Sequence, residues 1–267
     1  MRLVPGAVGL SHGELSVTDL PGLDRAWLDH RPRLVFNCAA YNAVDAAEDD
    51  SGQAFKVNSD GPANLGAVCR RHGAQLVHFS TNFVFDGASD RPYVESDAAN
   101  PLGVYGKSKL EGETRLLTVM PDALVIRSAA LFGDLGPSAP GRSFPDRILR
   151  RAREGETLKV VSDQTVNPTY VGDLALAAVT LAEQHVIGVL HVVAEGCCAW
   201  DEFARATLAE CGVEADVEAV KSADLASPAR RPRNGCLASA RTLALRPWRE
   251  GLHDWALRRG HDQRLMA

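Results

Sequence analysis

The sequence predicts an α/β fold, a doubly wound parallel sheet with a small C-terminal lobe. Three observations carry that prediction. Short apolar runs recur through the first half of the chain. A helix-like stretch precedes each run. Turn residues separate the units, and strands alternating with helices at this spacing form βαβ units.

The strands come first in that argument. Leu34–Asn37, Leu76–Phe79 and Leu124–Ile126 are four or fewer residues each and almost wholly apolar. Such runs suit strands buried on both faces. Asp24–His30, Ala63–His72 and Lys107–Leu117 are the helices that lead into them. Beyond Gly133 the rhythm changes. Gly133–Gly141 reads as loop, Phe144–Arg153, Asp173–Gln184 and Asp201–Cys211 as helices, and Thr157–Val161 and Val189–Val193 as strands. The division expected is a doubly wound, Rossmann-like domain over residues 1–135 and a smaller lobe over 136–267 that shares the sheet. The tail from Gly260 reads as frayed.

Composition narrows the function classes. The chain has 267 residues, a net charge of −5 and 45% hydrophobic residues. No basic stripe marks a nucleic-acid partner. No apolar run approaches the ~20 residues of a membrane span. The six cysteines include no CxxC pair and read as scattered thiols in a reducing cytoplasm. They suggest no metal site.

The strongest chemical signal is Tyr105-Gly-Lys-Ser-Lys109. Positions i and i+4 share a helix face. The spacing predicts the Tyr105 hydroxyl beside the Lys109 ammonium, and a nearby cation lowers a phenol's pKa from ~10. Such a phenol is a proton donor to a carbonyl that receives hydride. Thr81, closing the second strand, faces the crevice where parallel sheets bind ligands. His78, inside an apolar strand, reads as a satisfied core residue. Glu48-Asp49-Asp50 reads as a solvated face or loop.

Four segments, in this order and spacing, carry a family resemblance: Asn37–Asp45 (NCAAYNAVD), Ser80–Gly87 (STNFVFDG), Asn100–Glu113 (NPLGVYGKSKLEGE) and Arg231–Asn234 (RPRN). They resemble the dTDP-4-dehydrorhamnose reductase family of extended short-chain dehydrogenases. The resemblance runs from Ala7 to Arg258. It implies NADPH- or NADH-dependent reduction of the 4-keto group of a nucleotide-linked deoxysugar, in the cytoplasm, by a homodimer. Thr81, Tyr105 and Lys109 are then catalytic. Val17, Ala39, Ala40, Tyr41 and Phe79 join Tyr105 and Lys109 around the cofactor. Thr81, Asn82 and Arg231 meet the substrate. Thr169 reads as structural.

Departures keep other readings open. A dinucleotide-binding fold needs a first strand and a glycine-rich turn into a helix, whose amides receive the pyrophosphate. Here Gly6, Gly9 and Gly13 are out of register for that turn. Ala7–Asp19 instead resembles the family's second strand and the loop after it. The expectation is that the recorded start is internal to a longer reading frame. Ser11 and Ser16 stand where acidic residues often contact adenosine, which leaves NADPH at least as suitable as NADH. Asn82 replaces an Asp, as in the regulatory β subunits of methionine adenosyltransferase, and Ala130 replaces a Trp. A catalytically silent sugar-nucleotide or NADP binder is therefore a second reading, and an incomplete gene product a third.

Overall fold

The computed structural model describes residues 4–133 and 143–265, with side chains through Arg259. Its centre is a parallel sheet of four strands. These are β1 (Leu34–Asn37), β2 (Gln75–Thr81), β3 (Leu124–Ser128) and, after four short strands, β8 (Gly188–His191), hydrogen-bonded in that order. The short strands are β4 (Leu131–Phe132), β5 (Leu158–Val161), β6 (Thr165–Val166) and β7 (Thr169–Tyr170). The strands expected over Leu34–Asn37, Leu76–Phe79, Leu124–Ile126, Thr157–Val161 and Val189–Val193 are present, with β2 and β3 running two residues further at their C-terminal ends.

Strand alternation sorts the core into two layers. Leu76 and Val125 point to one face, where they meet α1 (Leu20–His30), α3 (Gly61–His72) and α4 (Val104–Val119) through Leu23, Leu65, Val68 and Leu116. Val77, Leu124 and Ile126 point to the other, against Leu174, Ala178 and Ala182 of α6 (Val171–Glu183). Helices on both faces make the sheet doubly wound. Because β8 follows α6, the C-terminal half of the chain supplies the sheet's fourth strand. The expected division between 135 and 136 lies outside the described residues, as does most of the loop expected over Gly133–Gly141.

The C-terminal lobe has its own core. Ile148 and Leu149 of α5 (Phe144–Arg153) meet Phe203 of α7 (Trp200–Glu210) and Leu252 and Trp255 of α8 (Trp248–Leu265). The α8 helix went unread in the sequence. Its backbone continues to Leu265, which replaces the frayed tail expected from Gly260.

Three further expectations are corrected. Residues 5–19 form turns and loop, not a strand; Val8 and Leu10 are exposed, and no strand among the described residues pairs with them. An extended segment without a ladder partner has nothing to hold it as a strand. In the run Glu48-Asp49-Asp50 the two aspartates are exposed as expected, but Glu48 is half-buried and its carboxylate accepts the Val104 N–H at 2.8 Å, at the positive end of α4. Cys197 and Cys236 are not scattered: their side chains meet across 39 residues, their Cα atoms 6.2 Å apart, because β9 (Ala194–Glu195) and β10 (Cys198–Ala199) turn toward the segment after Asn234. Only the fold brings them together.

Candidate active site

Two glycines let α4 reach the sheet's C-terminal edge. A Cβ on Gly112 would collide with the Asn58 carbonyl, and one on Gly106 with the Phe83 carbonyl. Without side chains there, α4 lies directly on the π-helical turn Lys56–Asp60 and on the turn after β2. This contact sets the position of Tyr105 and Lys109 relative to Thr81.

Asn58 is the clamp. It is fully buried; its Oδ1 accepts the Tyr41 N–H at 2.8 Å, and its Nδ2 donates to the Tyr41 carbonyl at 3.1 Å and to Ser108 Oγ at 3.0 Å. Ser108 in turn donates to the Tyr105 carbonyl at 2.8 Å. The loop Ala39–Tyr41 is thereby fastened to the turn of α4 that bears Tyr105.

The phenol of Tyr105 is half-buried and meets Phe83 edge-on at 5.5 Å. Burial pushes it up to about 12, and the nearby Thr81 hydroxyl pulls the other way. This corrects the expected fall. Helical spacing puts Tyr105 and Lys109 on one face, but the lysine side chain is long and turns to β2. Its ammonium donates to the Phe79 carbonyl at 2.6 Å and lies 3.4 Å from His78 Nε2. Burial lowers Lys109 to about 8, with Glu113 opposing the shift. The perturbed cation is therefore Lys109, and the phenol stays protonated.

Thr81 is buried at the end of β2, where its Oγ1 also accepts the Phe83 N–H at 3.1 Å. Its register neighbour Ser128 is buried with a hydroxyl that has no hydrogen-bond partner among the described residues. Asn82 is buried too; its amide donates to the Gly235 carbonyl at 2.9 Å, which ties β2 to the segment before Cys236. Arg231 grips Asp45 through two nitrogens, at 3.0 and 2.8 Å, joining the loop after β1 to the C-terminal lobe. That pairing holds Asp45 down at about 2. Val17 packs on Gly61 at the start of α3, with its carbonyl accepting from Asn64. Thr169 is fully buried and bonded to Asn167 and Ala194. Among the described residues, no cluster of three or more His, Cys, Asp or Glu side chains could hold a metal ion.

Sequence reasoning passed over Asn58, Ser108, Glu113, Arg127 and Ser128, whereas its reading of His78 as a satisfied core residue holds: the ring is fully buried and bonded to Asn37. The available signal was polarity out of place. Asn37 ends the apolar β1, its register partner His78 stands in the middle of β2, and Glu113 sits one helical turn beyond Lys109. The chemistry assembled is a phenol with a hydroxyl partner at the C-terminal edge of a parallel sheet, backed by a buried lysine. Such a group can protonate a carbonyl oxygen.

The comparisons agree with this geometry. The family described as the RmlD substrate binding domain matches residues 5–259. The dTDP-4-dehydrorhamnose reductase of Streptomyces griseus is 38% identical over 255 residues, 91% of this chain and 82% of that protein. The one from Mycobacterium tuberculosis is 39% identical over 256 residues, 92% and 82% of the two chains. Among solved structures, a dTDP-4-dehydrorhamnose reductase from Clostridium acetobutylicum superposes with a TM-score of 0.88 at 31% identity, covering 95% of this chain and 90% of its own. The Bacillus anthracis reductase in complex with NADP gives 0.89 at 28% identity, covering 93% and 89%. With the family matched along nearly its whole length and the expected sheet in place, this chain belongs to the dTDP-4-dehydrorhamnose reductase family.

Proposed function

We propose that the protein reduces the 4-keto group of a nucleotide-linked deoxysugar with NADPH or NADH. The observation that carries this reading is the protonated Tyr105 phenol placed near the Thr81 hydroxyl at the C-terminal edge of β2. The cofactor supplies the hydride. Tyr105 Oη gives its proton to the carbonyl oxygen, and Thr81 orients that oxygen. Asn82 and Arg231 border the substrate side.

The nicotinamide end of the cofactor fits the residues present. Ala39 and Ala40 leave space at the end of β1, their loop is fixed by Asn37 and Asn58, and Lys109 and the Phe79 carbonyl stand beside it. At the pyrophosphate end, residues 4–19 offer turns rather than a strand leading through a glycine turn into a helix. Asn82 and Ala130, in place of the family's Asp and Trp, favour the second reading, a sugar-nucleotide binder without turnover.

Cofactor oxidation with a dTDP-4-keto-6-deoxysugar separates the two. Turnover supports the reductase. Tight sugar-nucleotide binding without turnover supports the binder. The reading includes a homodimer and a cytoplasmic location, tested by sedimentation and cell fractionation. No described helix is long and apolar enough to cross a membrane.

A further inference from the structure

Asn37 closes β1 and is the register partner of His78 on β2. The Ala39 N–H donates to Asn37 Oδ1 at 3.1 Å. A backbone N–H can only donate, so this contact identifies the oxygen end of the amide. The other end, Nδ2, lies 3.0 Å from His78 Nδ1 and is itself a donor. His78 Nδ1 must therefore carry a lone pair.

A neutral imidazole with a bare Nδ1 holds its proton on Nε2. The imidazolium is disfavoured, because it would set N–H against N–H. His78 Nε2 is 3.4 Å from Lys109 Nζ, and Asn37, His78 and Lys109 are all nearly sealed from solvent. An Nε2–H aimed at an ammonium finds no acceptor. Aimed at a neutral amine, it finds the amine lone pair. Lys109 Nζ keeps its bond to the Phe79 carbonyl in either state.

We infer that Asn37 and His78 form a tautomer lock that favours the uncharged form of Lys109, which makes both of them positioning residues for the proposed reaction. Lys109's part in catalysis rests on the reductase reading; the lock is a property of the protein without ligand.

The other groups around Lys109 do not supply this effect. On α4, Glu113 favours the ammonium, but Ser80 and Arg127 hold its carboxylate. Tyr105, one turn earlier, is a neutral phenol. On β3, Arg127 is a cation already paired with Glu113. On β2, the Phe79 carbonyl accepts from either form of the lysine. The directions agree with the geometry: burial first and Lys109 second hold His78 well below its usual range, and burial lowers Lys109.

The test uses the intact protein without cofactor or substrate. Nitrogen-15 NMR of the His78 ring, assigned by its loss in His78→Gln, reads the tautomer directly. The expected result is a protonated Nε2 and a bare Nδ1 throughout the neutral range. A proton on Nδ1, or an imidazolium, overturns the lock. Asn37→Asp then reverses the polarity, since a carboxylate accepts from Nδ1–H and leaves the Nε2 lone pair to receive an ammonium proton. In that variant the tautomer should flip, and the Lys109 midpoint, read from its ε-carbon, should rise by about one pH unit, a tenfold change. A raised midpoint with the proton still on Nε2 means added charge alone acts, and the lock fails. If Asn37→Asp does not fold, the tautomer of the unaltered protein still decides. A protein that shows the lock but no turnover refutes the reductase reading and leaves this inference standing.

Discussion

The Arg127 guanidinium on β3 holds the Glu113 carboxylate on α4 through two parallel bonds, Nε to Oε1 at 2.9 Å and Nη2 to Oε2 at 2.6 Å. Both side chains are almost fully buried. Ser80 gives its hydroxyl to the same carboxylate, and Arg127 lies over the Phe85 ring at 5.2 Å. The pair fastens α4 to the sheet one helical turn beyond Lys109. Removing one partner of a buried pair leaves an uncompensated charge. Glu113→Gln should therefore cost about 3–5 kcal/mol of stability, measured by urea unfolding. A loss below about 1 kcal/mol, the range of an exposed pair, would show that the interaction is not desolvated.

Tyr105→Phe should lower turnover by at least about a hundredfold, with the melting temperature little changed. Steady-state kinetics beside thermal melts check this. Because the phenol is raised to about 12, the unaltered protein should keep its proton donor through neutral pH, with no loss of activity from Tyr105 ionisation below that range. An activity that falls away from neutrality upward, and does so only while Tyr105 is present, contradicts the assignment.

Lys109 has a clear linkage sign. Its folded pKa, about 8, lies below its ordinary 10.5, so the unfolded chain binds more protons between those values. Stability from this group should rise as pH increases from about 8 to about 10.5, and its full penalty applies below 8. At 1.36 kcal/mol per unit that penalty is on the order of 3 kcal/mol. Lys109→Met should thus abolish turnover while raising stability at neutral pH by about 1–3 kcal/mol, offset in part by the lost bond to Phe79. Paired activity and unfolding curves test both halves.

Asp45 and Arg231 join the two parts of the molecule, and both are partly exposed. Their coupling should be modest, about 0.2–1 kcal/mol in a double-mutant cycle, and weaker at high salt. The Asp45 pKa is depressed, so the contribution is present above about 4 and lost as pH falls toward about 2. Asp45→Asn should change KM for the sugar nucleotide more than kcat, since it frees the Arg231 guanidinium without touching Thr81 or Tyr105. An equal fall in kcat at constant KM would place the pair in the chemistry instead.

Gly112→Ala should cost about 1–3 kcal/mol, because its methyl would press on the Asn58 carbonyl where α4 crosses the π-helical turn. A neutral result by denaturant unfolding would mean that α4 can move away from Asn58 at no cost.

The sequence by itself determined the parallel sheet, since short apolar runs between helical stretches have few other ways to be buried. It also determined the paired spacing of Tyr105 and Lys109 and the hydroxyl that ends β2. Motif order was enough for the family. What it could not determine was how long side chains turn once they share a face. Lys109 reaches to β2 and not to Tyr105, so the perturbed pKa belongs to the lysine. Asn37 and His78 neighbour each other only because β1 and β2 pair in one register, 41 residues apart in sequence. Glu48 meets the start of α4, and Cys197 meets Cys236, through contacts that no local periodicity encodes. Burial and long-range pairing depend on the whole fold, and those two quantities set the charge at the site.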